Sequence, residues 1–301
     1  PLVSIALCTY NGGAHLAEQM DTLVQQDHPN LEIVITDDGS TDETLAIIAQ
    51  YAQKYPFITL YQNPENLGYA RNFERAIGLC RGEMIALADQ DDIWEKDKIS
   101  AMVGAIGDSA MIYHDSAFIF ADGKPMHRNM SDVLNMYEGK RPDPFFLYNC
   151  ASGHAIMFRK FLYEKITPFQ TGFFHDWLIT ITAAEHGGIV YLDRPLVHYR
   201  QHAHSNTDIL RIKEDSKEKL KSFNELNIRW LEFILPKIEE PAYLQALINC
   251  FRPDNSVIPS KRLKLFFLLV SNWKLLFFIK KKSPTSKLNY IRKICFSRTV
   301  K

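Results

Sequence analysis

Met84-Ile85-Ala86-Leu87-Ala88-Asp89-Gln90-Asp91-Asp92 is the stretch on which the reading of the fold turns. Met84 to Ala88 is wholly apolar, bounded by the charged Arg81-Gly82-Glu83 turn on one side and by Asp89, Asp91 and Asp92 on the other. A short apolar run with such boundaries reads as a buried strand. Carboxylates gathered at a strand end repel one another unless a cation or hydrogen-bond donors sit among their oxygens. Hard oxygen ligands suit magnesium or manganese, ions that commonly also hold substrate phosphates. The run therefore points to metal-assisted chemistry on a phosphorylated substrate. The competing reading is a solvated acidic turn, with Asp92 capping a helix that begins near Trp94.

Working outward, strands alternate with helices. Leu2 to Cys8, Leu31 to Thr36 and Phe57 to Tyr61 are short apolar or β-branched runs. Between them, Ala14 to Gln26, Asp42 to Tyr55 and Tyr69 to Cys80 carry helical spacing. The second helix opens on a capping box, Ser40 with Glu43. This alternation predicts an α/β fold, a doubly wound and mostly parallel sheet. Such sheets bind ligands beyond the carboxyl ends of their strands. Polar clusters fall at those ends: Thr9-Tyr10-Asn11, Asp37-Asp38-Gly39 and Asp89-Gln90-Asp91-Asp92. Further on, Met111 to Phe120 and Ser152 to Phe158 read as strands, and Ala121 to Pro144 as a loop or insert. Phe174 to His186 reads as a helix, Ile189 to Leu192 and Leu196 to Arg200 as two short strands, and Leu210 to Leu235 as a long helix.

Of the 301 residues, 46% are hydrophobic and 23% charged, which describes a globular chain and not a disordered one. The net charge is zero but unevenly spread. Residues 255–301 hold 12 Lys/Arg and no Asp/Glu, leaving 23 basic and 35 acidic residues elsewhere. A basic tail on an acidic body suggests an anionic partner for the tail. Leu263 to Ile279 is too short and too polar for a comfortable transmembrane helix, but it reads as a basic amphipathic one suited to an anionic membrane surface. Packing of that helix on the protein is the alternative. The five scattered cysteines show no metal spacing and fit a reducing compartment. The chain opens directly on strand-like sequence, without a signal-peptide pattern.

The strings CTYNGG, TDDGSTDET, NPENLGYARN and ADQDD stand in the order used by the inverting GT-A glycosyltransferases of family 2, which this chain resembles from Pro1 to about Asn206. The later string FFHDWLITITAAEHGGIVYLDRPLVHYRQHAHSN resembles the rhamnosyltransferase-like branch. The resemblance implies a GT-A catalytic domain over residues 1–206; beyond it, the sequence reads as a helical extension (207–254) and the basic membrane-associating tail (255–301). It implies that Tyr10 and Asp38 line the nucleotide base, with Asp38 accepting from N3–H of uracil or thymine. Arg71 and Asn72 lie near the nucleotide-sugar. Asp89 and Asp91 form the DxD pair, with Asp91 the direct metal ligand and Asp89 on the ribose or metal shell. Asp176 is the general base, and His202 completes the metal or diphosphate site. Gly153-His154 and His114-Asp115 are candidates to touch the acceptor.

The chemistry implied is displacement of a nucleoside diphosphate from an anomeric carbon by an acceptor hydroxyl. A divalent ion, manganese or magnesium, compensates the charge growing on the leaving group. A single base on the opposite face implies one displacement, hence inversion. Around Asp176, aromatic neighbours and a helix N-terminus pull its acidity in opposite directions. The absence of a QxxRW string points to addition of one sugar. The expected donor is a dTDP- or UDP-sugar, with rhamnose from dTDP-rhamnose as the first reading and a UDP-hexose as its alternative. The expected acceptor is a lipid-linked glycan at the inner face of a bacterial plasma membrane, with no nucleic acid involved. A nucleotidyltransferase would want a basic phosphate loop where Asn11-Gly12-Gly13 stands, and a nucleotide-sugar-binding scaffold would not need Asp91 and Asp176.

Overall fold

The computed structural model describes residues 1–201, 219–239, 242–251 and 259–296. The chain divides into two compact units. The first holds residues 1–132, 136–140 and 151–204, and the second holds 133–135, 141–150 and 205–301.

In the first unit, β1 (Val3–Thr9), β2 (Leu31–Asp37), β3 (Ile58–Gln62) and β4 (Met84–Ala88) pair in parallel in the order β3-β2-β1-β4. Every residue of β4, and nearly every one of β1, is buried. This is the continuous apolar signature of strands covered on both faces. Helices α1 (Leu16–Val24), α2 (Thr44–Lys54) and α3 (Tyr69–Leu79) connect them. Each presents its apolar stripe inward: Leu16, Met20 and Leu23 from α1, Ile48 from α2, Phe73, Ala76 and Ile77 from α3. Because the four strands run in one direction, the loops after β1, β2 and β4 all emerge at one edge.

The sheet continues as β8-β6-β9-β5, with β7 beside β6. Here β5 is Ile93–Trp94, β6 Met111–Phe120, β7 Pro125–Asn129, β8 Ile156–Arg159 and β9 Ile189–Gln201. The antiparallel pairings of β8 with β4 and β6 are short, and the parallel ladder of β6 with β9 is the longest in the sheet. The remaining helices of this part are α4 (Lys98–Ala105), α5 (Met130–Val133), α6 (Tyr163–Ile166) and α7 (His175–Glu185). In the second unit, α10 (Pro259–Ser271) packs with α9 (Ala242–Phe251), α11 (Trp273–Leu276) and α12 (Pro284–Phe296), while α9 also meets α8 (Lys219–Ile234).

Several expectations are corrected. No helix starts near Trp94: Trp94 lies in β5, and α4 begins at Lys98. Asp92 therefore caps no helix. Ser40 and Glu43 form no capping box; Asp42 accepts the Thr44 N–H at the start of α2, while Ser40 donates to Asp37. The segment 121–144 is not merely a loop, since it holds β7 and α5. The two short strands after α7 are one, β9, which carries Pro195 through a register shift opposite His114 and Asp115. A proline cannot donate to a ladder and is tolerated at such an irregularity. The helix read at Leu263 to Ile279 ends at Ser271 and resumes as α11. The helix read at Leu210 to Leu235 is α8 from Lys219 onward, and its first part, residues 210–218, lies outside the described residues.

Candidate active site

The loop after β1 is held by side chains and not by a backbone ladder. The N–H of Tyr10 donates to Gln90 Oε1 (2.9 Å), that of Asn11 to Ser40 Oγ (2.8 Å), that of Gly12 to Thr44 Oγ1 (2.9 Å) and that of Gly13 to Asp42 Oδ2 (2.9 Å). Gln90 closes the first bond from the other side, donating to Tyr10 O at 3.1 Å. A Cβ at Gly12 would meet the Gln90 amide and displace it from its bonds to Tyr10. The Tyr10 side chain is half exposed at the rim.

Asp37 and Asp38 divide the labour after β2. Asp37 accepts from Thr9 Oγ1, Ser40 Oγ and the amides of Gly39 and Ser40, and so builds the turn. Gly39 sits at φ 87°, a left-handed conformation that favours glycine. Asp38 is buried, and its carboxylate accepts from Asn63 Nδ2 (2.6 Å), Leu67 N–H (2.8 Å) and Gly68 N–H (2.9 Å). Asn63 also donates to Asn72 Oδ1 and accepts from Arg75. Asn72 is buried, and its amide donates to Thr36 O, so it ties α3 to β2 from within. Arg71 faces outward and pairs with Glu74 at 2.6 Å. Of the two residues expected near the nucleotide-sugar, Arg71 is thus exposed and paired on its own helix, and Asn72 is buried. Arg75, which sequence reasoning passed over, is the guanidinium joined to the Asp38–Asn63 network.

Beyond β4, Asp89 remains 41% exposed, whereas Asp92 is completely buried. Asp92 Oδ1 accepts the Arg200 backbone N–H at 3.0 Å, and Oδ2 has no hydrogen-bond partner. His154 Nδ1 lies 3.9 Å from an oxygen of each of these aspartates. His154 Nε2 and Ser116 Oγ are 2.8 Å apart. One ligand atom each from Asp89, Asp92 and His154 fall within 4.8 Å of one another. Asp91, expected as the direct ligand, is not in that cluster; its carbonyl accepts from Arg200 Nε at 2.7 Å.

The electrostatics follow from burial. Asp89 is pushed up to about 7, first by the protein mass around it and then by the charges of Asp91 and Asp176. Asp92 is raised by burial, then by Asp91 and Asp89, with the Arg200 amide and Lys98 opposing. Lys98 is buried, donates to His154 O at 2.6 Å and lies 3.1 Å from the centroid of the Trp94 ring. Burial lowers its pKa against the pull of Asp92 and Asp89. Burial, and after it the Lys98 charge, hold His154 down to about 3, so the imidazole is neutral at pH 7. Nδ1 is the ring nitrogen that faces the two carboxylates, while Nε2 is engaged with Ser116 Oγ.

Asp176 stands in the first turn of α7 and receives the Trp177 N–H at 2.6 Å. A Cβ on Gly153 would lie 3.9 Å from the Asp176 Cβ, so the residue before His154 borders the expected base. Tyr69, at the start of α3, has its hydroxyl pKa raised by burial and then by Asp176 and Asp89. It therefore feels both carboxylates. His175 is buried with neither ring nitrogen paired, stacks on Phe73 at 4.2 Å, and is held down to about 3 by burial.

His202 lies outside the described residues. His114 and Asp115 are buried, and Asp115 accepts from Ser116 N–H, Ser131 N–H and Ser131 Oγ, so it fixes the start of α5. Sequence reasoning also missed Lys98, Asp92 as a cluster member, and Arg200. Arg200 is 2% exposed and donates to Asp91 O, Ala121 O and Glu18 Oε2. The YRQH string was its only signal.

The family model described as glycosyl transferase family 2 matches residues 4–167. The dTDP-rhamnosyl transferase RfbG of Shigella flexneri is 31% identical over 208 residues, covering 65% of this chain and 71% of that protein. The chain spans only 59% of the length of other curated relatives, at 28% identity. Among solved structures, S. aureus TarS 1–349 in complex with UDP-GlcNAc superposes with a TM-score of 0.61 at 18% identity, over 89% of this chain and 81% of that one. The mannosyltransferase PcManGT of Pyrobaculum calidifontis, in complex with GDP-Man and Mn2+, does so with a TM-score of 0.52 at 17% identity, over 96% and 79%. The α/β sheet with these neighbours is the GT-A fold, and the chain belongs to glycosyl transferase family 2, as a glycosyltransferase.

Proposed function

We propose that the protein transfers one sugar, with inversion, from a nucleoside diphosphate to a hydroxyl of a lipid-linked glycan, in bacterial surface polysaccharide synthesis. The observation that carries this reading is the pairing of two carboxylate sites on either side of Gly153-His154: Asp89 with Asp92 after β4, and Asp176 on α7. Rhamnose from dTDP-rhamnose is the favoured donor, supported by the likeness to RfbG. A UDP-hexose is the alternative, since TarS was solved with UDP-GlcNAc.

The residues fit a divalent cation. Asp92 Oδ2 is buried without a donor, and a neutral imidazole nitrogen and an Asp89 oxygen converge with it. Oxygen, oxygen and imidazole nitrogen suit manganese, and magnesium with more oxygen. Such an ion supplies Lewis-acid compensation of charge on the departing diphosphate. Asp176 accepts the proton of the acceptor hydroxyl. Asp38, with its Asn63, Leu67 and Gly68 donors, holds an acceptor oxygen fixed for the N3–H of a pyrimidine base, and Tyr10 offers its ring at the rim. Arg75 and Asn72 hold that arrangement from behind.

Calorimetric titration of dTDP and UDP, with and without Mn2+, tests the donor half. Manganese-dependent binding lost in Asp92→Asn and kept in Asp91→Asn supports the cluster as drawn; the reverse returns the ligand role to Asp91. Asp176→Asn tests the other half: nucleotide affinity is retained while transfer falls on the order of a hundredfold or more, the usual scale of a lost general base. Unchanged transfer removes Asp176 from the chemistry.

A further inference from the structure

Two aromatic rings stand open to solvent beside Asp176. Tyr69 is 38% exposed and Phe174, the residue preceding α7, is 40% exposed. Their centroids are 6.2 Å apart with planes inclined by 50°, so the pair forms an open angle and not a closed stack. Tyr69 is fixed from behind, and Phe174 rests against it. The Tyr69 hydroxyl donates to Phe173 O at 3.2 Å, and the Tyr69 ring leans on His175 at 5.6 Å. His175 in turn is sandwiched by Phe73 at 4.2 Å and Phe169 at 6.1 Å. An exposed ring held as Tyr69 is loses little freedom on meeting a ligand, which is where a preformed site gains its affinity.

The surroundings select the occupant. An aliphatic chain would use the rings and gain nothing from Asp176 and Asp89 nearby. A pyranose uses both: its axial C–H face carries positive partial charge that suits the negative face of an aromatic ring, and its hydroxyl edge suits carboxylates. We infer that Tyr69 and Phe174 form a stacking platform for a pyranose ring of the acceptor glycan, which presents the attacking hydroxyl to Asp176. This inference rests on the transferase reading above and adds to it the means by which the acceptor is held.

Saturation-transfer NMR on the full chain tests it, with methyl α-L-rhamnopyranoside, methyl α-D-glucopyranoside and methyl β-D-N-acetylglucosaminide as probes. Saturation is expected at the ring C–H protons of at least one probe. Affinity is expected to fall about three- to tenfold in Tyr69→Ala and in Phe174→Ala, the size of one aromatic contact. Tyr69→Phe, which keeps the ring and loses the bond to Phe173, and Phe174→Trp are expected to bind as the parent does. No response from any probe, or affinity unchanged in both alanine variants, overturns the platform. Should Tyr69→Ala not fold, Phe174→Ala, lying outside the helix, decides alone. Nucleotide calorimetry on the same samples separates the two failures. Nucleotide binding without a sugar response removes the platform alone, and a sugar response without dTDP or UDP binding removes the donor reading.

Discussion

Arg200 shows how much of the site depends on a residue with no place in the chemistry. Its guanidinium reaches Asp91 O, Ala121 O and Glu18, and its backbone N–H reaches Asp92, so one buried residue pins the far end of the acidic loop to β9. Arginine suits this because its planar fork serves several acceptors at fixed angles, which an ammonium cannot. Arg200→Lys is expected to cost about 2–4 kcal/mol, since buried carbonyls lose donors at roughly 1–3 kcal/mol each. Urea denaturation measures that cost. Manganese-dependent dTDP binding is expected to weaken along with it, and a variant as stable as the parent would show the clamp to be dispensable. Little of this could be read beforehand. The string DQDD announces carboxylates but not which of them turns inward. Asp92 is selected by Arg200, 108 positions away in the chain, and that contact exists only once β9 lies beside β5.

At the scale of elements, legibility followed burial and length. β4 and β6 have the boundaries read from sequence: β4 is an uninterrupted apolar run closed by charged residues, and β6 is apolar at both ends and buried along nearly its whole length. β5 has only two residues and leaves no periodic trace, and β7 is largely exposed. In the sequence, β9 is two apolar runs interrupted by Asp193-Arg194-Pro195, whereas in the fold the pairing with β6 shifts register there and the strand continues. One junction between elements carries a pH prediction. Glu32 on β2 is buried, which alone would raise its pKa, but bonds from Ser4 Oγ, Arg81 N–H and Arg81 Nε outweigh that and lower it. A carboxyl with a depressed folded pKa stabilises above its unfolded value and loses that contribution as pH falls through the folded one. The link between β2 and the turn before β4 is therefore expected to weaken below about pH 4.5. Glu32→Gln should lower the melting temperature at pH 7 and leave a shallower decline between about pH 5 and pH 3. Parallel curves for parent and variant would exclude Glu32 as the group responsible.

At the scale of the whole molecule, the acidic body and basic tail suggest different surroundings for different parts of the chain. Among the described residues no helix is long and apolar enough to cross a membrane. α10 buries Leu265 and Leu269 within the second unit, yet leaves Leu263 48% and Phe267 59% exposed, with Arg262 and Lys264 beside them. On α12, Leu288 and Phe296 are exposed alongside Arg292 and Lys293. Packing and surface binding, set against each other in the sequence, can thus fall to different faces of one helix. Exposed Leu and Phe flanked by cations suit the interface of an anionic bilayer. Flotation with phosphatidylglycerol-containing vesicles should recover the protein at low salt. Leu263→Ser with Phe267→Ser, which spare the buried face, should abolish recovery. Flotation undiminished in that double variant would place the membrane contact elsewhere.

The four successive amides of Tyr10, Asn11, Gly12 and Gly13 each reach a different side chain, on Gln90, Ser40, Thr44 and Asp42. A rim loop outside any ladder would ordinarily trade its amide protons with solvent almost freely. Here each proton is released only when its own tether opens, so the loop carries four separate clocks in neighbouring positions. The tethers come from the loops after β2 and β4 and from the first residue of α2, and the isotope uptake of this one loop therefore reports on the closure of the others before any ligand arrives.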